Sequence, residues 1–183
     1  MKLFKLFLAS VMILAFAIPA FAQDAAKFGY IGATKCKTCH QKDADGAQFS
    51  KWLDSKHSKA YETLASEEAK KIAKEKGIAD PQKAKECIKC HVTGYDADAS
   101  LLGPKYAVEE GVSCESCHGP GSEYKSKKTM KAISAGEIEP ASVGLVKPDK
   151  KLCLGCHNDE SPTFVSFNYE EAKEKIAHPV PKQ

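Results

Sequence analysis

The chain has 183 residues, a formal net charge of +3 and 43% hydrophobic residues, a composition typical of one folded domain. All 27 basic residues are lysine. Without arginine the chain lacks the side chain that reads phosphates and guanine bidentately, so we expect no nucleic-acid partner.

The first 22 residues have the pattern of a secretory signal peptide. Lys2 and Lys5 precede an apolar run over residues 6–18, and an Ala-Phe-Ala cleavage pattern ends before Gln23. A membrane anchor is the alternative, but it needs about 20 apolar residues, and this run is shorter. We therefore predict export to the periplasm and a mature domain over residues 23–183.

Four Cys-x-x-Cys-His motifs use every cysteine of the chain and four of its six histidines. In such a motif the two thiols attach a haem and the histidine binds its iron. The sequence therefore predicts four haem c groups. The motif residues are Cys36, Cys39 and His40; Cys87, Cys90 and His91; Cys114, Cys117 and His118; and Cys153, Cys156 and His157.

Disulfides and zinc are the two alternatives for these cysteines. Export favours disulfides, and two Cys-x-x-Cys pairs can build a four-cysteine zinc site. Neither alternative requires a histidine directly after every pair, whereas haem attachment does.

Removing the signal peptide leaves roughly 40 residues per haem, too few to wrap each haem in its own core. The haems should then pack together and replace the core of one mainly α domain with extensive coil. Apolar periodicity and capping signals predict helices over residues 44–64, 66–76, from Pro81 into Cys87, 122–135, and from Asn168 to His178.

The sixth iron ligands decide what each haem can do, because an iron with two strong protein ligands is closed to small molecules. Only His57 and His178 lie outside the motifs, so histidine falls two short of four. His57 lies on the apolar face of the predicted 44–64 helix, and the alternative for it is a buried core histidine. His178 lies at the end of the predicted C-terminal helix, and the alternative for it is a terminal histidine that favours the helix dipole. Met130 is a thioether candidate, with ordinary packing as its alternative. We expect at least one haem to lack a strong internal sixth ligand.

Several segments resemble the cytochrome c-554 family of tetrahaem periplasmic electron carriers. They are residues 34–40, 52–60, 87–95 and the Gly-Val-Ser-Cys-Glu-Ser-Cys-His-Gly-Pro-Gly run over 111–121. The resemblance implies a helical fold with haems in partly stacked pairs, distal ligands at His57 and His178, and a five-coordinate haem on His91. A further distal histidine of the family follows the Gly-Pro-Gly turn. Here residues 122–131 contain none, and Met130 is the conventional candidate nearby.

Electron transfer to redox proteins in brief encounters is the leading functional hypothesis, including transient docking at a membrane-bound oxidoreductase. Reduction of a small nitrogen oxide such as nitric oxide at the His91 haem is the enzymatic alternative. Assembly of subunits into a haem wire, with a ligand supplied by a neighbour, is the third.

We predict that electron paramagnetic resonance of the oxidised protein will count two low-spin and two high-spin haems. Two spare histidines can close only two irons, and the other two irons lack a strong second ligand. Four low-spin haems would contradict the open-site argument.

Overall fold

A computed structural model describes residues 28–179 of the chain. The predicted signal peptide, residues 1–22, lies outside the described residues and stays a prediction. Within 28–179 the chain consists of short helices joined by coil, with one isolated parallel bridge between Tyr30 and Leu102 and no strand. The prediction of a mainly α fold with extensive coil is confirmed. None of the helices described is both long and apolar enough to cross a bilayer.

The α-helices of the described segment are all shorter than three turns. In chain order they are α1 (Ala33–His40), α2 (Gln48–Leu53), α3 (Ala60–Thr63), α4 (Glu67–Glu75), α5 (Lys85–His91), α6 (Cys114–His118), α7 (Lys127–Ser134), α8 (Lys150–Leu154) and α9 (Tyr169–Ile176). Single 3₁₀ turns lie between several of them, including His57–Lys59 and Val108–Glu110.

Two predicted helix starts are confirmed with their caps. The Ser66 side chain accepts a hydrogen bond from the Ala69 N–H and begins α4. The Asn168 side chain accepts from the Glu170 and Glu171 N–H groups and donates to the Glu171 carboxylate, which begins α9. Both caps act within one turn, which is why local sequence predicts them.

The single helix predicted over residues 44–64 is wrong. The chain forms α2, then the 3₁₀ turn that contains His57, then α3. The Ser55 hydroxyl donates to the Trp52 carbonyl, and the Ser58 hydroxyl donates to the Leu53 carbonyl. These hydroxyls satisfy carbonyls at the end of α2 and so replace the backbone bonds that would continue the helix. His57 is consequently a turn residue and not part of a helical stripe.

Three other predicted boundaries need correction. Pro81 is not a first helical residue, because the Asp80 side chain and carbonyl close a turn over residues 80–84 and α5 begins at Lys85. The predicted 122–135 helix begins only after Ser126, whose side chain caps α7. α9 ends at Ile176, two residues before His178.

The described residues contain no conventional hydrophobic core. Only seven apolar side chains are buried, and no large side chain is less than 2% exposed. Several large apolar side chains are instead exposed, among them Leu152 at 39% and Leu154 at 40% on α8, the helix that contains the first cysteine of the fourth motif. A chain with so little apolar burial of its own fits a fold completed by apolar groups that are bound between its helices.

A buried carboxylate compensates in part for the missing core. Glu115, which is 3% exposed, accepts hydrogen bonds from the N–H groups of Ile31 at 2.9 Å, Gly32 at 2.9 Å and Gly121 at 2.7 Å. Glu110 extends the arrangement by accepting from the Ala33 N–H at 2.7 Å. Together the two carboxylates satisfy the unpaired N–H groups at the start of α1, which has no side-chain cap of its own.

Glu115→Ala should lower the free energy of unfolding by about 3 kcal/mol or more, because it leaves three buried N–H donors without an acceptor. Denaturant unfolding followed by circular dichroism measures the loss. Glu109→Ala, which removes an exposed carboxylate six residues away, should change it by less than about 0.5 kcal/mol. Equal effects of the two substitutions would show that Glu115 does not anchor the fold.

Candidate haem-binding site

Three of the four Cys-x-x-Cys-His motifs lie on a helix of one or two turns. α1, α5 and α6 end at His40, His91 and His118, whereas α8 contains only Cys153 of the fourth motif, and Cys156 and His157 follow it in a turn. Residues at positions i, i+3 and i+4 share one face of a helix. Helical geometry therefore directs both sulfurs and the imidazole of the three helical motifs to the same side.

The motifs meet through their cysteines. The Cys36 and Cys114 thiols lie close enough for each to shift the pKa of the other, which places the first motif beside the third. Cys90 contributes to raising the pKa of Cys156, which places the second motif beside the fourth. Cys153 contributes to raising the pKa of Cys117, so the third and fourth motifs adjoin as well.

The two histidines outside the motifs each face a motif histidine. The rings of His57 and His157 have centroids 6.1 Å apart and planes inclined by 60°. The rings of His118 and His178 have centroids 6.0 Å apart and planes inclined by 71°. Neither pair is stacked in parallel: the first pair is tilted and the second is edge-on, and both separations lie within the range of aromatic contacts.

The two ring separations are also close to the separation of two imidazoles that bind one metal ion. Imidazole nitrogens bind transition-metal ions at about 2.0 Å, so two rings that face each other across one ion have centroids roughly 6.3 Å apart. Burial lowers the pKa of His57, His118 and His157, which favours the neutral imidazole that can ligate a metal. The described side chains thus fit a haem iron in each pair, and no cluster of three or more His, Cys, Asp or Glu residues among them offers a different metal site.

The other two motif histidines face no second histidine within residues 28–179. The Nδ1 atom of His91 lies 2.6 Å from the Ala60 carbonyl oxygen, a contact that orients its ring. The His40 ring has no hydrogen-bond partner among the described residues, but His40 lies near enough to His118 to contribute to lowering its pKa. Met130 is half-buried on α7, and no hydrogen bond or ring contact links its side chain to a motif, so its role as a ligand stays a prediction.

Backbone contacts from the segment before the third motif hold His57 in place. The Val112 N–H donates to the His57 carbonyl at 3.0 Å, and the Trp52 indole N–H donates to the Val112 carbonyl at 2.9 Å. Gly111 has φ +64°, and a Cβ there would lie 2.7 Å from the His57 carbonyl oxygen. Gly111 lies three residues before Cys114, in the run that resembles the cytochrome c-554 family, and this position was the available sequence signal.

A buried hydroxyl joins the second and third motifs. Thr93, which is 4% exposed and two residues after His91, accepts from the Ser113 N–H at 2.7 Å. Its own N–H donates to the Gly111 carbonyl, and its carbonyl accepts from the Tyr106 hydroxyl at 2.7 Å. Sequence reasoning missed Thr93, because nothing local distinguishes it from a surface threonine.

The third motif is fixed on its other side by the segment around Val146. The Val146 N–H donates to the His118 carbonyl at 2.9 Å, and the Val146 carbonyl oxygen lies 3.4 Å from His118 Nδ1. Gly119 has φ +78°, and a Cβ there would lie 2.3 Å from the Gly144 carbonyl oxygen. The predicted turn after the proximal histidine is therefore also a close backbone crossing.

Comparison with known proteins identifies the family of the chain. The model of the family described as cytochrome c554 and c-prime matches residues 35–119. Cytochrome c-554 of Nitrosomonas europaea is 33% identical over 154 residues, which cover 80% of this chain and 61% of that protein. The chain belongs to the cytochrome c-554 family.

Two longer multihaem proteins match more weakly. The C-type polyheme cytochrome OmcC of Geobacter sulfurreducens is 28% identical over 107 residues, covering 49% of this chain and 13% of that protein. The multiheme cytochrome MtrA of Shewanella baltica is 28% identical over 131 residues, covering 68% and 36% respectively. The chain thus spans at most about three fifths of the length of these relatives, and no solved structure matches it significantly.

Membership of the cytochrome c-554 family establishes the cofactor class. Proteins of a c-type cytochrome family carry haem c attached through cysteine thioethers, and the Cys-x-x-Cys-His motifs are the attachment sites such a haem requires. The resemblance expected from the sequence is confirmed.

Gly111→Ala should displace His57, because the new methyl group would collide with the His57 carbonyl and break its bond to Val112. We expect one low-spin haem to become high-spin in the visible and paramagnetic resonance spectra. Gly136→Ala is the matched control: its φ is +75°, but no atom lies within 4 Å of the added carbon. Both variants should lose about 1 kcal/mol of stability through backbone strain. Only Gly111→Ala should change the spin state, and an unchanged spectrum would contradict the positioning role of Gly111.

Proposed function

We propose that this protein is a periplasmic electron carrier that binds four haem c groups, one on each Cys-x-x-Cys-His motif. Four motifs in one family member support the count. The adjoining motif cysteines support one compact cluster of haems, in which the first and third, the third and fourth, and the fourth and second motifs are neighbours. The signal-peptide pattern of residues 1–22 supports the compartment.

When bound, haem c supplies an iron that exchanges single electrons and whose potential depends on its axial ligands and burial. The chain holds each group through two cysteine sulfurs and a motif histidine. His57 would give the sixth ligand opposite His157, and His178 the sixth ligand opposite His118. The ring separations of 6.1 and 6.0 Å are the observation that carries this assignment.

The proposed partners are redox proteins that dock briefly. A carrier that must release its partner quickly uses a small interface, and the lysine-rich surface can steer an acidic partner over long range. Docking at a membrane-bound oxidoreductase is consistent with this chemistry. An assembly of subunits into a haem wire would need a neighbouring copy to supply an iron ligand. Under the proposed ligation, only the haems on the motifs of His40 and His91 could accept such a ligand.

The lack of a histidine facing His91 favours a second candidate function, binding or reduction of a small molecule such as nitric oxide. The contact of His91 Nδ1 with the Ala60 carbonyl orients the ring of the one protein nitrogen that would hold this haem iron. Turnover of nitric oxide by the reduced protein would distinguish an enzyme from a carrier.

Carbon monoxide titration of the reduced protein tests the ligand assignment, because the gas binds only irons with an open position. The wild-type protein should bind it at two haems per chain, those of His40 and His91. His57→Ala and His178→Ala should each open one more haem.

Lys59→Ala is the control, since its exposed side chain neighbours His57 in sequence but faces no histidine. It should leave the stoichiometry at the wild-type value. A wild-type protein that binds no carbon monoxide would overturn the proposal of open haems. An unchanged stoichiometry in His57→Ala would overturn the ligand role of His57.

A further inference from the structure

One aromatic contact at the fourth motif has no counterpart at the other motifs of the described chain. The rings of Phe167 and His157 are stacked, with centroids 4.5 Å apart and planes only 8° from parallel. This separation lies at the short end of the range for aromatic contacts, and the parallel alignment indicates offset stacking. Phe167 therefore covers one face of the His157 ring.

The motif histidines differ in what fixes their ring planes. A ligating histidine usually donates its second ring N–H to a carbonyl or carboxylate, and this bond fixes the orientation of the ring. His91 and His118 have such partners, the Ala60 and Val146 carbonyl oxygens at 2.6 and 3.4 Å. His157 has no hydrogen-bond partner for its ring within residues 28–179. Among the described residues, Phe167 is the one aromatic ring stacked against it.

Phe167 is itself held by ordered backbone on its C-terminal side. It directly precedes Asn168, whose side chain caps α9 with two hydrogen bonds. α9 then leads to His178, which faces His118. The residue that stacks on one motif histidine thus begins the segment that carries the partner of another.

We propose that Phe167 is a positioning residue that sets the ring plane of His157 and, with it, the angle of 60° between the His157 and His57 rings. The inference rests on the proposed function, in which these two histidines bind one haem iron. Phe167 restricts rotation about the side-chain torsions of His157, as a carbonyl contact does for His91 and His118.

Electron paramagnetic resonance reads this angle directly. The g anisotropy of a low-spin ferric haem depends on the angle between its two axial imidazole planes, and a spread of angles broadens the signal. Phe167→Leu, which keeps an apolar side chain but removes the ring, should shift and broaden the signal of the fourth-motif haem. Phe167→Tyr keeps the ring and should preserve the wild-type signal.

The signal of that haem is first identified with His57→Ala, which should remove it and leave the signal of the His118–His178 pair. Phe164→Leu is the matched control, an identical change three residues away at a ring that is 37% exposed and stacks on no histidine among the described residues. It should leave the spectrum unchanged. Haem content per chain is measured for every variant.

The outcomes separate the two proposals. If His57→Ala removes no low-spin signal, the proposed ligation of the fourth motif fails. If it does remove one, while Phe167→Leu and Phe167→Met both retain the wild-type line position and width, the ligation stands and the positioning role of Phe167 is overturned. Incomplete haem attachment in both Phe167→Leu and Phe167→Met would assign Phe167 to folding and would also overturn the positioning role.

Discussion

The fold depends on one buried carboxylate at the centre of the third motif. Glu115 is the residue after Cys114, so it projects from a different side of α6 than Cys114, Cys117 and His118, which share the attachment face. From there it accepts hydrogen bonds from the N–H groups that precede α1 and from the turn after the motif. A one-turn helix thus presents its Cys-x-x-Cys-His motif on one side and an anchor on the other. An ionised carboxylate is tolerated in this position because several N–H donors replace its water.

The third motif is in consequence the structural centre of the described chain. Its first cysteine touches the first motif, its second cysteine adjoins the fourth, and the hydrogen bond between Ser113 and Thr93 ties it to the second. The equivalent positions of the other motifs are Lys37, Ile88 and Leu154, none of which can accept from buried N–H groups. Because only seven hydrophobic side chains of the described residues are buried, these hydrogen bonds have to fix the positions of the segments, as a hydrophobic core does in other proteins.

The features that could be predicted from the sequence are those determined by a few neighbouring residues. The four motifs, the Ser66 and Asn168 caps and the mainly α class are of this kind. The helix predicted over residues 44–64 failed although its apolar periodicity was sound, because the Ser55 and Ser58 hydroxyls end α2 locally. Glu115 and its partners Ile31 and Gly32 are more than 80 residues apart, and no periodicity reports such a contact. For the same reason the sequence named His57 and His178 as candidates without telling which motif each would face.

The pairing of those histidines couples motifs that are distant in sequence. His57 is held through its backbone by Val112, next to the third motif, yet its ring faces His157 of the fourth. His178 reaches the third motif from a segment that begins with Phe167 on the fourth. Under the proposed ligation, the sixth ligand of each of these two haems depends on the polypeptide around the other. Neither haem site can then be complete before both motifs have folded, so the two should form and unfold as one cooperative unit in a chain that has little other core.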